Sequence, residues 1–456
     1  MRYEDFIQAK TRYRYGIGAQ FNADDCPSFL FDFQKDLVAW AVTMGRSAVF
    51  ADCGLGKTAI QLAWADHFVQ KENKSALILT PLSVGIQTKS EADKFGVDAF
   101  RSRSGELPDT PKIVVTNYEQ LHKFDARDFC AVVCDESSCI KNFKSKRKND
   151  VTDFLNTIEY RLLCTATAAP NDFWELGTSS EALGLMGFRD MITKFFKQET
   201  SKDHHGWGRT KYRFRGHAAE PFWCWVCSWA RSLRRPSDAG FSDAGFDLPP
   251  LTETEYIVDC EKKRPGMLFA LPGKDLNEQR AERRNSIPER CEKAAEIASE
   301  VSGPMVFWCE LNAEGDRLQH AMKGSSQVKG SMPDDEKESI LKAFGAGEID
   351  RLIIKPKIGA WGLNWQHCSD TVSFPSHSYE QYYQSIRRFY RFGQTSEVKV
   401  RIIVNEGEAG ILQSLRRKAK QSDEMFESIV SHMNDALHLV KIEKFTEKER
   451  MPVWLS

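Results

Sequence analysis

The chain has 456 residues, enough for about two or three domains. Hydrophobic residues make up 41% and charged residues 28%, a globular composition, and 63 Lys and Arg against 64 Asp and Glu leave a formal net charge of -1. That balance excludes a general electrostatic attraction to nucleic acid or to an acidic membrane surface, so any polyanion site is local.

The N-terminal stretch MRYEDFIQAKTRYRYG has no apolar h-region, and no apolar run is long enough to span a bilayer. The expectation is a soluble, cytoplasmic protein without membrane partners. The 12 cysteines are scattered. Cys130, Cys134, Cys164 and Cys309 sit inside apolar runs, where a reduced thiol behaves as a small hydrophobe, and no disulfide framework is implied.

Residues 49–64 read VFADCGLGKTAIQLAW, an apolar run, a glycine-containing loop, Lys-Thr and a helix-compatible segment. Gly54 and Gly56 let backbone N–H groups approach phosphate oxygens, the Lys57 ammonium reaches the β and γ phosphates, and the Thr58 hydroxyl ligates Mg²⁺ at the helix N-terminus. The nucleotide-binding set is therefore Gly54, Leu55, Gly56, Lys57, Thr58 and Ala59. Ala51 stands where the general pattern has a first glycine.

From 76 to 167 the apolar runs ALILTP, KIVVTN, AVVCDE and YRLLCTAT are continuous rather than alternating, which predicts parallel strands buried on both faces. The third delivers Asp135 and Glu136 at its end, where a nucleotide hydrolase needs one carboxylate for Mg²⁺ and one for the attacking water. Cys134 and Cys139 beside them lack the paired spacing of a structural zinc site and read as packing residues.

Residues 183–275 change character, with HHGWGRTKYRFRG and FWCWVCSWARSLRRPSD, and read as a helical, aromatic-rich insertion and linker. Cys224 and Cys227 with His204, His205 and His217 hold some ingredients of a zinc knuckle; the tryptophans point instead to a small core belonging to the insertion. Residues 276–300 read as helical on either side of Pro288. A second set of buried strands follows in PMVFWCE, RLIIKPK, DTVSFPS and VKVRIIVN. The fold expected is α/β, a first domain over 1–182 and a second over 276–456, joined through the insertion. The basic clusters KNFKSKRKND (141–150) and RSLRRPSD (231–238) are candidate backbone-phosphate contacts or solvated faces.

Ordered motifs then give the chain a resemblance to superfamily 2 helicases and translocases, and within them to the Swi/Snf-like group. FLFDFQKDLVAWAV resembles the adenine-recognising segment, with Gln34 at the glutamine position. LTPLSVGIQ and VTNYEQL are similar to first-domain motifs that touch nucleic acid. DESSCIKN is similar to DEAH-x-IKN, and TATAAPND resembles the coupling motif, with Ala166 and Ala168 replacing its Gly and Pro. KIGAWGLNWQHCSDTV matches a Gly-rich motif at Gly362 and Asn364, and QSIRRFYRFGQ matches the Gln-x-x-x-Arg-x-x-Arg-x-Gly-Gln signature. The compact form also resembles phage-encoded helicases, which would act in the host cytoplasm.

The resemblance implies two tandem RecA-like domains, ATP and Mg²⁺ as cofactors, and a monomeric motor acting on duplex or branched DNA. Arg388 and Arg391, spaced i, i+3, would reach the transferred phosphate across the cleft. Lys57, Asp135, Glu136, Arg388 and Arg391 are the expected catalytic set, with Thr58 and Asp135 on the metal. An RNA helicase and a slowly hydrolysing nucleotide-gated clamp are the alternatives. The clamp draws on the departures at Ala51, Ser137, Ser138, Ala166 and Ala168. Ser138 is expected to hydrogen-bond toward Thr165 or Thr167.

Overall fold

The computed structural model describes residues 16–82, 84–202, 208–259, 276–359 and 364–442. Two parallel sheets lie in series along the chain, as expected for tandem RecA-like domains. The first has seven strands in the order β3-β4-β2-β5-β6-β1-β9. These are β1 Arg46–Ala51, β2 Ser75–Thr80, β3 Ala99–Arg101, β4 Ile113–Asn117, β5 Phe129–Asp135, β6 Tyr160–Cys164 and β9 Ala230–Leu233. Between β6 and β9 an antiparallel hairpin pairs β7 Phe196–Lys202 with β8 Gly208–Phe214.

The continuous apolar runs are explained by burial on both faces. Val49, Ile78, Val133 and Leu162 enter one core with Phe33, Ile60 and Trp64. Their chain neighbours Phe50, Leu77, Val132 and Leu163 enter the core on the opposite face. Residues three and four apart on the helix Lys57–Glu72, such as Ile60 and Trp64, supply its buried stripe.

The second sheet has six parallel strands in the order β10-β15-β14-β11-β13-β12. They are β10 Leu251–Val258, β11 Met305–Trp308, β12 Ser326–Val328, β13 Arg351–Ile354, β14 Asp370–Ser373 and β15 Val398–Asn405. The helices Leu276–Asn285 and Ile287–Glu300 break at Ser286, and Pro288 sits in the first turn of the second, where its missing N–H has no helical acceptor to lose.

Sheet membership does not follow the boundaries expected from composition. β9 is hydrogen-bonded to β1, and β10 to β15, so residues 183–275 are shared between the two lobes. The aromatic residues Phe222, Trp223, Trp225 and Trp229 do not form a core of their own. They fill the first lobe's core, with Trp229 edge-on to Phe50 at 6.2 Å. Trp and Phe density signals burial but carries no information about the partner surface.

The last described element is a long helix, Ala409–Ile442, that leaves the second sheet and returns to the first lobe. Met425, Phe426, Ile429 and Met433 are part of the first lobe's core. The Ile429 carbonyl accepts from Cys227 Sγ, Arg234 pairs with Asp423 at 2.6 Å, and its guanidinium lies 4.5 Å from the Phe426 ring centre. Among the described residues no helix is long and apolar enough to cross a membrane. Phe426→Ala should remove about 3–5 kcal/mol of stability by leaving a cavity at this joint. Chemical unfolding followed by tryptophan fluorescence checks it, and an unchanged midpoint would mean the helix does not brace the first lobe.

Candidate active site

β1 ends at Ala51, and the loop 52–56 turns directly into the helix Lys57–Glu72. Gly54 and Gly56 take φ of 94° and 71°, a region that favours glycine. Space requires it too: a Cβ on Gly56 would stand 2.3 Å from Gln34 Nε2, and one on Gly54 would stand 2.7 Å from the Phe392 backbone nitrogen. Gly56 is the N-cap, so the N–H groups of Lys57, Thr58 and Ala59 have no acceptor within the helix and suit an anion. Lys57 Nζ donates to the Ala51 and Asp52 carbonyls at 2.9 and 3.2 Å.

Gln34 bridges the loop and the start of the helix Asp32–Met44. Its Nε2 donates to the Leu55 carbonyl at 2.9 Å and its Oε1 accepts from the Phe31 N–H at 3.0 Å. The amide thus ties the loop at Leu55 to the helix start at Phe31, and each of its ends has capacity for a further hydrogen bond.

Asp135 closes β5, and its Oδ1 accepts from Gln61 Nε2 at 2.7 Å. Burial raises the Asp135 pKa, opposed by the Gln61 hydrogen bond and the Lys57 charge. Gln61 was not singled out from the sequence, although its position four residues after Lys57 puts both on one helix face. The Asp135 backbone carbonyl accepts from Tyr118 in VTNYEQL at 2.7 Å.

Glu136 carries backbone strain, with φ 53° and ψ 55° in the left-handed region. Its Oε1 accepts from Thr165 Oγ1 at 2.5 Å, from Ser138 Oγ at 3.3 Å and from Gln384 Nε2 of the second lobe at 3.4 Å. Ser138 and Thr165 therefore meet through the Glu136 carboxylate rather than directly. Burial pushes Glu136 up to about 7, with Lys57 pulling it down and Asp135 adding to the rise.

From the second lobe, Arg388 is buried, and its Nε and Nη2 donate to the Gln384 carbonyl and Oε1 at 3.2 and 3.4 Å. Burial lowers its pKa to about 10. Arg391 Nη1 donates to Asn364 Oδ1, while its buried Nε has no hydrogen-bond partner among the described residues. Gly362 lies outside the described residues. One cavity of about 470 Å³ brings together Gln34, Gly54, Gly56, Lys57, Thr58, Ala59, Asp135, Glu136, Asn364, Arg388 and Arg391. Leu55 is buried beneath the loop.

Neighbouring residues add a contact with no local sequence signal. The Asp52 carboxylate accepts from Arg387 Nη2 at 2.5 Å and from the Tyr383 hydroxyl, so the second lobe grips the loop itself. Burial disfavours the Arg387 charge, but Asp52 and Tyr383 outweigh it and hold the guanidinium above its ordinary value. Lys141 of the IKN segment pairs with Glu380 across the same seam.

The basic clusters are largely committed to the protein. Arg147 and Lys148 pair with Glu119 and Glu181, both at 2.7 Å. Arg231 donates to the Cys227 carbonyl at 2.7 Å and lies over Trp40, so RSLRRPSD is an internal joint rather than an open phosphate-binding patch. Cys224 and Cys227 share the helix Ala219–Cys227, the first exposed and the second buried, and His204 and His205 fall outside the described residues. No group of three potential metal ligands occurs among the described residues.

Residues 300–393 match the helicase conserved C-terminal domain family. Helicase swr1 of Schizosaccharomyces pombe is 32% identical over 171 residues, which is 32% of this chain and 13% of that protein. The SWI/SNF-related matrix-associated actin-dependent regulator of chromatin subfamily A-like protein 1 of Drosophila melanogaster is 26% identical over 190 residues, 36% of this chain and 23% of that protein. The chain thus spans a small part of the curated relatives' length. A solved structure of the Sulfolobus solfataricus SWI2/SNF2 ATPase core in complex with dsDNA aligns over 91% of this chain and 96% of its own, with 18% identity and a TM-score of 0.40.

Two outcomes are expected from this geometry. Glu136 ordinarily releases its proton near 4.5 but holds it to about 7 when folded, so stability is lost as pH climbs through that window, by on the order of 3 kcal/mol. Glu136→Gln should therefore melt increasingly above wild type between pH 4.5 and 7, then keep a constant lead; a gap that ignores pH would contradict the burial account. Arg387→Met should cost about 3–5 kcal/mol by stranding the Asp52 carboxylate, and adding Asp52→Asn should recover part of it. Strictly additive costs in that double-mutant cycle would show that the two side chains are not coupled.

Proposed function

We propose that the protein is a Swi/Snf-like, ATP-dependent DNA translocase that couples ATP hydrolysis to movement along duplex or branched DNA. The observation that carries this reading is the Glu136 carboxylate, which takes hydrogen bonds from the first lobe's Thr165 and Ser138 and from the second lobe's Gln384. A base tied to both lobes can report their relative position.

The residues fit Mg²⁺ and ATP on their own chemistry. A ring of N–H donors and Lys57 suits the phosphates, the unpartnered Arg391 Nε suits an anion in the cleft, and Asp135 with Thr58 offers oxygen ligands to a hard cation. When bound, Mg²⁺–ATP supplies the anhydride to be cleaved and a cation that offsets its charge. Lys57 leaves the Ala51 and Asp52 carbonyls to bind phosphate. Glu136 orients water through its carboxylate and takes up its proton, a role suited to a pKa near 7. Arg388 and Arg391 neutralise charge developing on the transferred group, a contribution of about 10³ to 10⁵ in rate.

A second cleft of about 790 Å³ runs between the lobes. Arg103, Lys141, Asn142 and Arg147 line it from the first lobe, and Lys337 and Lys357 from the second. Glu119, Glu380, Glu338 and Asp334 line it too and pair with Arg147, Lys141, Arg103 and Lys337, so a nucleic-acid backbone bound here would have to take these cations from their carboxylates. One relative's name, a regulator of chromatin, favours DNA over RNA.

Steady-state ATPase assays without polymer, and with duplex DNA, single-stranded DNA or RNA, test the proposal. Duplex DNA should stimulate turnover most, and Glu136→Gln should lower kcat by about 10²- to 10⁴-fold. Turnover indifferent to every polymer would remove the translocase reading. Full activity in Glu136→Gln would remove the assigned base.

A further inference from the structure

Glu136 lines two cavities at once, the one that holds Lys57, Arg388 and Arg391 and the cleft of about 790 Å³ between the lobes. The helix Tyr379–Ile386 of the second lobe contributes Gln384 to the first cavity and Glu380 to the second. These two residues are four apart and so share one face of the helix. Glu380 pairs with Lys141 of the first lobe in the cleft. Gln384 donates to Glu136 Oε1 at 3.4 Å, a bond at the long end of its range that a small shift of the helix would end.

The Lys141–Glu380 pair is mostly out of water, its side chains 22% and 12% exposed. A phosphate that draws Lys141 away leaves a carboxylate with little solvent to turn to, which is costly unless another cation takes it. On the first-lobe side Glu380 faces two carboxylates. Burial raises the pKa of Glu136 and of Glu175, and the negative charge of Glu380 adds to both rises. On the second-lobe side is Lys418, half-buried on the helix Ala409–Ile442, with its Nζ on the His377 carbonyl at 2.8 Å. Burial, and then the Arg417 and Lys141 charges, lower the Lys418 pKa, while Glu175 and Glu380 oppose them. Loss of Lys141 thus leaves Glu380 repelled by the first lobe and attracted within its own.

We propose that Glu380 is a positioning residue that couples a phosphate backbone in the cleft to the carboxylate of Glu136. While Lys141 holds Glu380, Gln384 holds Glu136. When the backbone takes Lys141, Glu380 turns to Lys418, the helix moves with it, and Glu136 gives up the Gln384 bond and is free to accept from water. One helix with two arrangements is then biased from both sites. This inference rests on the translocase reading, with Glu136 as the base.

ATP turnover with and without duplex DNA, together with the Kd for duplex DNA, tests it on the full chain and on Glu380→Gln and Lys418→Met. Glu380→Gln leaves no carboxylate to compete for Lys141 and no charge to be displaced, so it should bind duplex DNA severalfold more tightly than wild type and yet lose most of the stimulation. Lys418→Met, whose side chain is not part of the cleft wall, should lose stimulation while its DNA affinity and its turnover without DNA stay as in wild type. A residue that only braces the seam would instead weaken binding and stimulation together. That result, or stimulation as in wild type in either variant, overturns the coupling role and leaves the translocase reading intact. A wild type that duplex DNA does not stimulate overturns both.

Discussion

The buried carboxylate of Glu136 is the constraint around which the two sheets are arranged. A carboxylate out of water needs donors, and here they come from the strand-end segment after β6, from the turn after β5 and from Gln384 in the second lobe. Its left-handed backbone turns the side chain off the end of β5, and that strained turn is held by the same bonds. Each donor is in turn fixed by a buried strand or helix, so the positions of β5, β6 and the helix Tyr379–Ile386 are read out at a single atom. Asp52 repeats the arrangement two strands away, after β1, with Arg387 and Tyr383 as its donors.

Burial is what makes this seam responsive. An exposed ion pair contributes little in water, whereas Asp52 and Arg387 have side chains only 5% and 14% exposed. Opening the lobes would hydrate both partners, and closing them without a match would strand one charge. A charged ligand entering beside Lys57, Arg388 and Arg391 alters the same balance. The second lobe has a separate buried ionic group, Arg290 with Glu314 at 2.7 Å and Arg283 with Glu408 at 2.6 Å, joining its helices to the end of β15. That group lies within one lobe and gives it a rigid frame.

The parts of this structure that were legible in the sequence are those whose chemistry is contiguous. Gly54 to Ala59 read as an anion-binding turn because loop, cap and helix start occupy neighbouring positions. The buried strands read as parallel because both faces are apolar, and the helix break expected at Pro288 lies two residues earlier, at Ser286. Glu136 and Asp135 read from a strand end, but the bonds that complete them did not: Ser138 is expected to bond toward Thr165 or Thr167 and instead meets Thr165 on Glu136, and Gln61 has no signal beyond its i+4 spacing from Lys57. The pairing of Asp52 with Arg387 spans 335 residues and has no local signature. β9 escaped notice because ARSL carries an arginine and lies within a basic run, where charge hides a strand paired to β1.

The return of the last helix to the first lobe changes the kind of motion the protein can make. The chain crosses from one sheet to the other between β9 and β10, and crosses back where Phe426 and Ile429 enter the first core. Two bodies joined at two places form a closed mechanical loop. While both joints hold, rotation about a line through them is the motion that disturbs their packing least. Residues far from that line, on the open side of the seam, travel furthest for a given rotation, and those near it scarcely move. A small change of angle about that line would displace the far residues most.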